Sequence, residues 1–137
     1  MQAADLDILV VDDLALVRTL TSEVLRAAGC GRVREAVNAA DAVARMSERA
    51  GNVLLTDFAM PGGDGVALIA TLRAERRYDR CAMILVTGCA SDATASAARH
   101  AGADAVLPKP IEVADLLSAI ETAVAARLRG GRAAIRS

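Results

Sequence analysis

Short apolar runs alternate along this chain with longer stretches in which apolar side chains return at helical spacing. Residues 6–11, apolar except for Asp7, follow an acidic start and carry the mark of a strand buried on both faces. Over 14–28, Val17, Leu20, Val24, Leu25 and Ala28 recur at the spacing of one helix face until Gly29 stops the pattern. Residues 32–36 make a weaker strand, expected at a sheet edge, and 39–49 read as a helix that Gly51 closes. Residues 53–56 are a second buried strand ending on Asp57. After the glycine-rich turn at 60–63, Asp64 caps a helix carrying Val66, Ile69 and Leu72. A strand at 82–87 follows, then a helix capped by Ser91 or Asp92 and stopped at Gly102. A short strand at 105–107 leads to a long helix over 113–128 with Val113, Leu116, Leu117, Ile120 and Val124 on one face. Five strands alternating with five helices predict an α/β fold, a doubly wound five-stranded parallel sheet joined by right-handed crossovers.

Length and composition narrow this. A chain of 137 residues has room for one domain, expected over 1–129, and hides about two thirds of its unfolded surface without staples. The hydrophobic fraction is 54 %, yet only Phe58 and Tyr78 are aromatic, which argues against a stacking platform for single-stranded nucleic acid. A net charge of −1 excludes the chain as an electrostatic partner for DNA. Cys30, Cys81 and Cys89 are odd in number and form no CxxC pair, which points to a reducing compartment and away from a disulfide scaffold or zinc site. There is no apolar leader and no apolar run of membrane-spanning length, so the expectation is a cytoplasmic monomer without a membrane partner. Residues 130–137 lose the apolar period and read as a short Gly/Arg-rich flexible tail. Arg127, Arg129, Arg132 and Arg136 have no acid after Glu121 to oppose them in sequence. A solvated tail accounts for them; the alternative is docking of an anionic partner such as a nucleotide.

The chemistry lies at the strand ends. In a doubly wound sheet, ligands sit beyond the carboxyl ends of the strands at the topological switch point. Asp12 and Asp13 follow the first strand, Asp57 the third, Thr87 the fourth and Lys109 the fifth. Taken singly, each has an ordinary role as cap, turn residue, β-former or solvated charge. With strand order 2-1-3-4-5, strands one and three are neighbours and the three carboxylates converge across roughly 4.8 Å. Two like charges about 4 Å apart repel by on the order of 4 kcal/mol near a surface, so such a cluster needs a cation or takes up protons. Hard oxygen donors with room for water and a phosphoryl oxygen suit Mg²⁺. Thr87 is on the strand beside Asp57, within reach of a short hydroxyl. Lys109 is two strands away, roughly 10 Å, where only a long side chain reaches. Lys and Arg total 16, and Lys109 alone among them is lysine, a compact ammonium suited to point contact with a phosphoryl oxygen.

The motifs VVDD (10–13), LLTD (54–57), MPGGDG (60–65), LVTG (85–88) and LPKP (107–110) resemble the receiver domain of two-component response regulators, most of all the stand-alone chemotaxis-regulator type. The resemblance runs from Leu6 to about Leu128 and implies a flavodoxin-like (βα)5 fold. It implies that Asp57 accepts a phosphoryl group from the phosphohistidine of a histidine kinase or phosphotransfer protein. By the same resemblance, Asp13, Asp57 and the backbone carbonyl of Ala59 ligate Mg²⁺, Asp12 acts largely through water, and Thr87 and Lys109 contact the phosphoryl group. Lys109–Pro110 becomes a candidate cis peptide. A downstream protein target is expected on the face between Ser91 and Leu128.

Two features depart from the family pattern. Val106 stands where receivers commonly carry the Tyr or Phe switch, and the helix from Ser91 to Ala101 offers mainly alanines to the core, so it is expected to be loosely anchored. Ala59 and Cys89, two residues past Asp57 and Thr87, are small and uncharged; Cys89 is read as structural or incidental and His100 as a solvated helix residue. Rival enzymes fit poorly. An aspartyl-phosphate phosphatase of the haloacid dehalogenase type needs an Asp where Ala59 stands, a flavodoxin needs a phosphate loop where Asp12 and Asp13 stand, and no P-loop is present. The expected function is a phosphorylation-driven binding switch, not a conventional enzyme. The alternatives are a phosphoryl reservoir without protein output and a receiver excised from a longer regulator.

Overall fold

The computed structural model describes residues 2–88 and 91–136, with side chains of the last helix to Arg129. Five parallel strands, β1 (Asp7–Val11), β2 (Arg32–Ala36), β3 (Val53–Asp57), β4 (Ala82–Thr87) and β5 (Ala105–Pro108), form one sheet in the order β2-β1-β3-β4-β5. Helices α1 (Ala15–Ala27), α2 (Ala39–Glu48), α3 (Gly65–Arg73), α4 (Asp92–Ala101) and α5 (Val113–Arg136) alternate with them. The doubly wound sheet expected from the alternation is the one observed, and β2 lies at an edge as anticipated.

The strands separate two cores because successive side chains point to opposite faces. Leu9, Val11, Leu54, Met83 and Leu85 face α2, α3 and α4, joined by Met46, Ile69 and Leu72. Ile8, Val10, Leu55, Ile84 and Val86 face α1 and α5, joined by Leu25, Leu116 and Ile120. Every residue of β1, β3 and β4 is buried, as inner strands with apolar centres require, including the polar residues Asp7, Thr56, Asp57 and Thr87 at or near their ends. Each fully buried Leu or Ile there contributes about 1.5–3 kcal/mol relative to exposure.

Local signals set the boundaries. Asn38, Asp64 and Ser91 cap α2, α3 and α4 by accepting the amides of Asp41, Ala67 and Thr94. Between the two cap candidates of α4, Ser91 is the one used. Gly102 ends α4 with φ +113°, the left-handed conformation that favours glycine. Two short 3-10 turns, Ala3–Asp5 and Arg76–Tyr78, carry no sequence signature of their own. The second buries Tyr78 completely, and its hydroxyl has no hydrogen-bond partner among the described residues. Helix α5 runs from Val113 to Arg136.

Candidate functional site: an acid cluster at the carboxyl ends of the strands

Strand β1 ends at Val11, opposite Thr56 of β3, and hands the chain to Asp12 and Asp13; β3 ends on Asp57 itself. That register brings the three acids together, with one oxygen from each carboxylate lying within 4.8 Å of the others. Asp12 and Asp57 are buried and Asp13 is exposed. Backbone amides hold the two buried carboxylates: Asp12 Oδ1 accepts the N–H of Leu14 at 2.9 Å, and Asp57 Oδ1 accepts the N–H of Phe58 at 2.9 Å. Burial raises the Asp12 carboxyl above its ordinary range; the Leu14 amide opposes the shift, and the Asp57 charge adds to it.

Lys109 reaches this cluster from the far side of β4. Its Nζ lies 2.9 Å from Asp57 Oδ1 and 3.8 Å from Asp12 Oδ2. The loop that carries it is fixed by the Lys109 N–H donating to the Thr87 carbonyl at 2.9 Å, and the Lys109–Pro110 peptide is cis. Three carboxylates against one ammonium leave an excess of negative charge. Hard oxygen donors with that surplus fit Mg²⁺ well, since a dication removes repulsion that one lysine cannot.

Gly65 closes the site from below. Its N–H donates to the Phe58 carbonyl at 2.8 Å, and a Cβ there would collide with the Asp57 carbonyl and Leu85. The glycine-rich turn can therefore fold back onto the strand end that presents Asp57. Thr87 ends β4 buried, one step beyond Val86, which pairs with Asp57. Val106 pairs with Leu85 on β5 and packs, half-buried, against the α2–α4 core. Ala59 is exposed two residues past Asp57, and His100 is exposed on α4. Cys89 lies outside the described residues.

Sequence reading missed Arg18. Its guanidinium donates from Nη1 to the Asp12 carbonyl at 2.8 Å and from Nε to Glu35 of β2 at 3.1 Å. The available signal was a cation one turn into the helix that follows an acid pair. The reading of Arg127 as unopposed is corrected by the fold, for its Nε donates to Asp104 at 2.7 Å. Beside the cluster, an apolar groove of about 510 Å³ runs between α1 and α5, lined by Leu20, Val24, Val113 and Leu116 and opening on Lys109.

Fold and site together define a doubly wound α/β domain with an acid cluster at its switch point, and comparison with known proteins supplies the family. The model of the response regulator receiver domain matches residues 8–121, and the chain belongs to that family. It is 29 % identical over 119 residues to a Rhizobium etli protein named "Probable chemotaxis protein CheY", covering 87 % of this chain and 92 % of that one. It is 27 % identical over 112 residues to chemotaxis protein CheY-3 of Vibrio cholerae, covering 82 % and 86 %. Among solved structures, a CheY-like receiver domain protein from Methanospirillum hungatei superposes with a TM-score of 0.82 at 29 % identity, covering 90 % of this chain and 97 % of that one. CheY4 of Vibrio cholerae, at 24 % identity and a TM-score of 0.81, shares the fold over 86 % of this chain and 98 % of its own. Among the described residues no helix is long and apolar enough to cross a membrane.

Proposed function

We propose that this chain is a single-domain response regulator whose Asp57 accepts a phosphoryl group from the phosphohistidine of a kinase or phosphotransfer protein and thereby switches a protein contact. The observation that carries the reading is the convergence of Asp12, Asp13 and Asp57 within 4.8 Å under the Lys109 ammonium. A carboxylate oxygen of Asp57 forms the new O–P bond as the P–N bond to the donor imidazole breaks, and the imidazole regains neutrality by taking a proton. Asp13, Asp57 and the Ala59 carbonyl, with Asp12 nearby, would hold Mg²⁺, which when bound would supply charge neutralisation at the phosphoryl oxygens. Lys109 exchanges its contact with Asp57 for one with a phosphoryl oxygen, and Thr87 donates its hydroxyl to another. The α1–α5 groove is continuous with the site through Lys109, and Leu16 and Leu20 stand 73 % and 53 % exposed along α1. An apolar helix of the donor protein suits that surface. The product is the modified chain itself, so the domain is a switch in the cytoplasm and not a conventional enzyme.

Output is assigned to the face between Ser91 and Leu128. Valine at position 106 favours a second reading, a phosphoryl reservoir, because a short stiff side chain cannot alternate between an inner site and a partner as a ring can. Incubation with acetyl phosphate and Mg²⁺ should add one base-labile phosphoryl group by intact mass. Equal labelling of Asp57→Asn, or labelling that survives a chelator, sinks the assignment. Capture of partners with and without a beryllofluoride mimic then separates switch from reservoir.

A further inference from the structure

Helix α1 starts differently from its neighbours. Asn38, Asp64 and Ser91 cap α2, α3 and α4 through their side chains, whereas Leu14 opens α1 with no side-chain cap. Yet this is the helix entered directly from the acid pair, where a loose backbone matters most. Asp13 is exposed, so its position depends on how firmly the peptide joining it to Asp12 is held.

That peptide is held from outside. The Asp12 N–H donates to the Ala36 carbonyl at 3.2 Å, which ties the residue to β2. The Asp12 carbonyl, half of the peptide unit that carries Asp13, accepts Arg18 Nη1 at 2.8 Å. The same guanidinium donates through Nε to Glu35 Oε1 at 3.1 Å, and its side chain is only 14 % exposed. Glu35 sits on β2 in register with Val10, two residues before Asp12. A planar fork gripped at Nε by a carboxylate has a fixed plane, so Nη1 is aimed at one point.

We propose that Arg18, oriented by Glu35, is a positioning residue for the acid cluster: it locks the Asp12–Asp13 peptide so that the carboxylates are presented already converged for Mg²⁺. The inference rests on the function proposed above, and it adds an outer strand to the metal site. β2 contributes no ligand but supplies the carboxylate that aims the arginine. Outer-shell partners of this kind commonly change metal affinity by about 10–100-fold when removed.

The test compares the parent with Arg18→Lys, Arg18→Gln, Glu35→Gln and the control Arg26→Lys. Arg26 also approaches Glu35, at 3.9 Å, but is half exposed and touches nothing in the cluster. Mg²⁺ affinity is read by isothermal titration. Amide exchange of Asp13 and Leu14 is read in metal-free protein, and acetyl phosphate labelling at limiting and saturating Mg²⁺. Lysine keeps the charge and loses the fork, so Arg18→Lys should weaken Mg²⁺ binding about tenfold and speed exchange at Asp13 and Leu14. Its labelling should recover at saturating Mg²⁺. Glu35→Gln, which keeps an acceptor oxygen, should lose about threefold, and Arg26→Lys should match the parent. Should Arg18→Gln fail to fold, Arg18→Lys and Glu35→Gln carry the comparison. Parent-like Mg²⁺ affinity and exchange in these variants, in a parent that binds Mg²⁺ and is labelled at Asp57, overturns this proposal alone. A parent that binds no Mg²⁺ overturns it together with the functional reading.

Discussion

The two ends of the sheet treat their acids in opposite ways. At the carboxyl ends, Asp12 and Asp57 share one cation, Lys109, and Asp13 crowds them without an ion pair of its own among the described residues. At the amino ends, Asp7 and Asp104 have two each. Asp7, which opens β1, takes Arg49 Nε at 2.7 Å and Arg34 Nε at 3.5 Å. Asp104, just before β5, takes Arg73 Nη2 at 3.0 Å and Arg127 Nε at 2.7 Å. The spare donors of these arginines go to carbonyls: Arg73 to Gly102 and Tyr78, Arg127 to Gly102 and Asp79, Arg34 to Arg45 and Arg49. One end has its acids matched by cations and acts as a brace, although Asp7 Oδ1 and Arg34 Nε, 3.5 Å apart, pair by charge without a hydrogen bond. The other is left short of positive charge, a shortage that a bound dication would relieve. Identical residue types are structural or functional according to the count of opposing charges around them.

The comparison breaks most visibly at Asp104. Replacing it by alanine leaves two guanidiniums facing each other with Arg73 only 11 % exposed, and burial together with Arg127 already pushes the Arg73 guanidinium below its ordinary range. The expected loss is about 3–5 kcal/mol in urea denaturation. Asp7→Ala should cost less, about 1–2 kcal/mol, because Arg49 is 56 % exposed and water can replace the acid.

At the opposite end the sign reverses. Asp12 has a folded-state pKa above its ordinary 3.8, so the fold favours its protonated form. That contribution is complete below the unfolded value and is lost as pH rises through the folded one; above that window the ionised group works against folding. Asp12→Asn should therefore raise metal-free stability at pH 7 by about 1 kcal/mol, as removal of one crowded charge partly screened by Lys109 predicts. The gain should shrink toward zero below about pH 4, where Asp12 is protonated in both states. An unchanged or lowered urea midpoint at pH 7 contradicts the picture of a site held under repulsion. A subtler probe is Lys109→Arg: the wider planar head should keep the fold and fail to restore the response to phosphorylation, read as partner capture with beryllofluoride.

The acid cluster was legible because each member stands at a strand end and the sheet order alone fixes which ends are adjacent. Asp57 ended β3 from within and Lys109 crossed β4 to it, both as the topology requires. The braces were not legible. Asp104 lies 31 residues from Arg73 and 23 from Arg127, so no local spacing pairs them, and the tail-side arginine looked solvated when read against its sequence neighbours. Arg18 escaped notice for a related reason, since its main target is a backbone carbonyl and carbonyls have no signature in a sequence. Helix α4 was legible in its alanines, with Ala98 alone fully buried along it, but its anchorage at Gly102 was not.

That anchorage gives α4 a pivot. The Gly102 carbonyl is gripped by Arg73 Nε at 2.9 Å and Arg127 Nη2 at 3.1 Å, and the stem of Arg73 fills the space where a Cβ would sit. Ten residues of helix make a rod of about 15 Å, and its first turn begins at Asp92, five residues after Thr87. A swing of about 10° around the gripped end carries the first turn through roughly 2.5 Å and moves the last turn hardly at all. Amide exchange with and without a phosphoryl mimic should follow that gradient along the helix, fading from Thr94 toward Ala101, while Val106 keeps its rotamer. A binding partner seated over Ser91 would feel the lever arm at full travel, whereas one seated over Gly102 would be resting on the fulcrum.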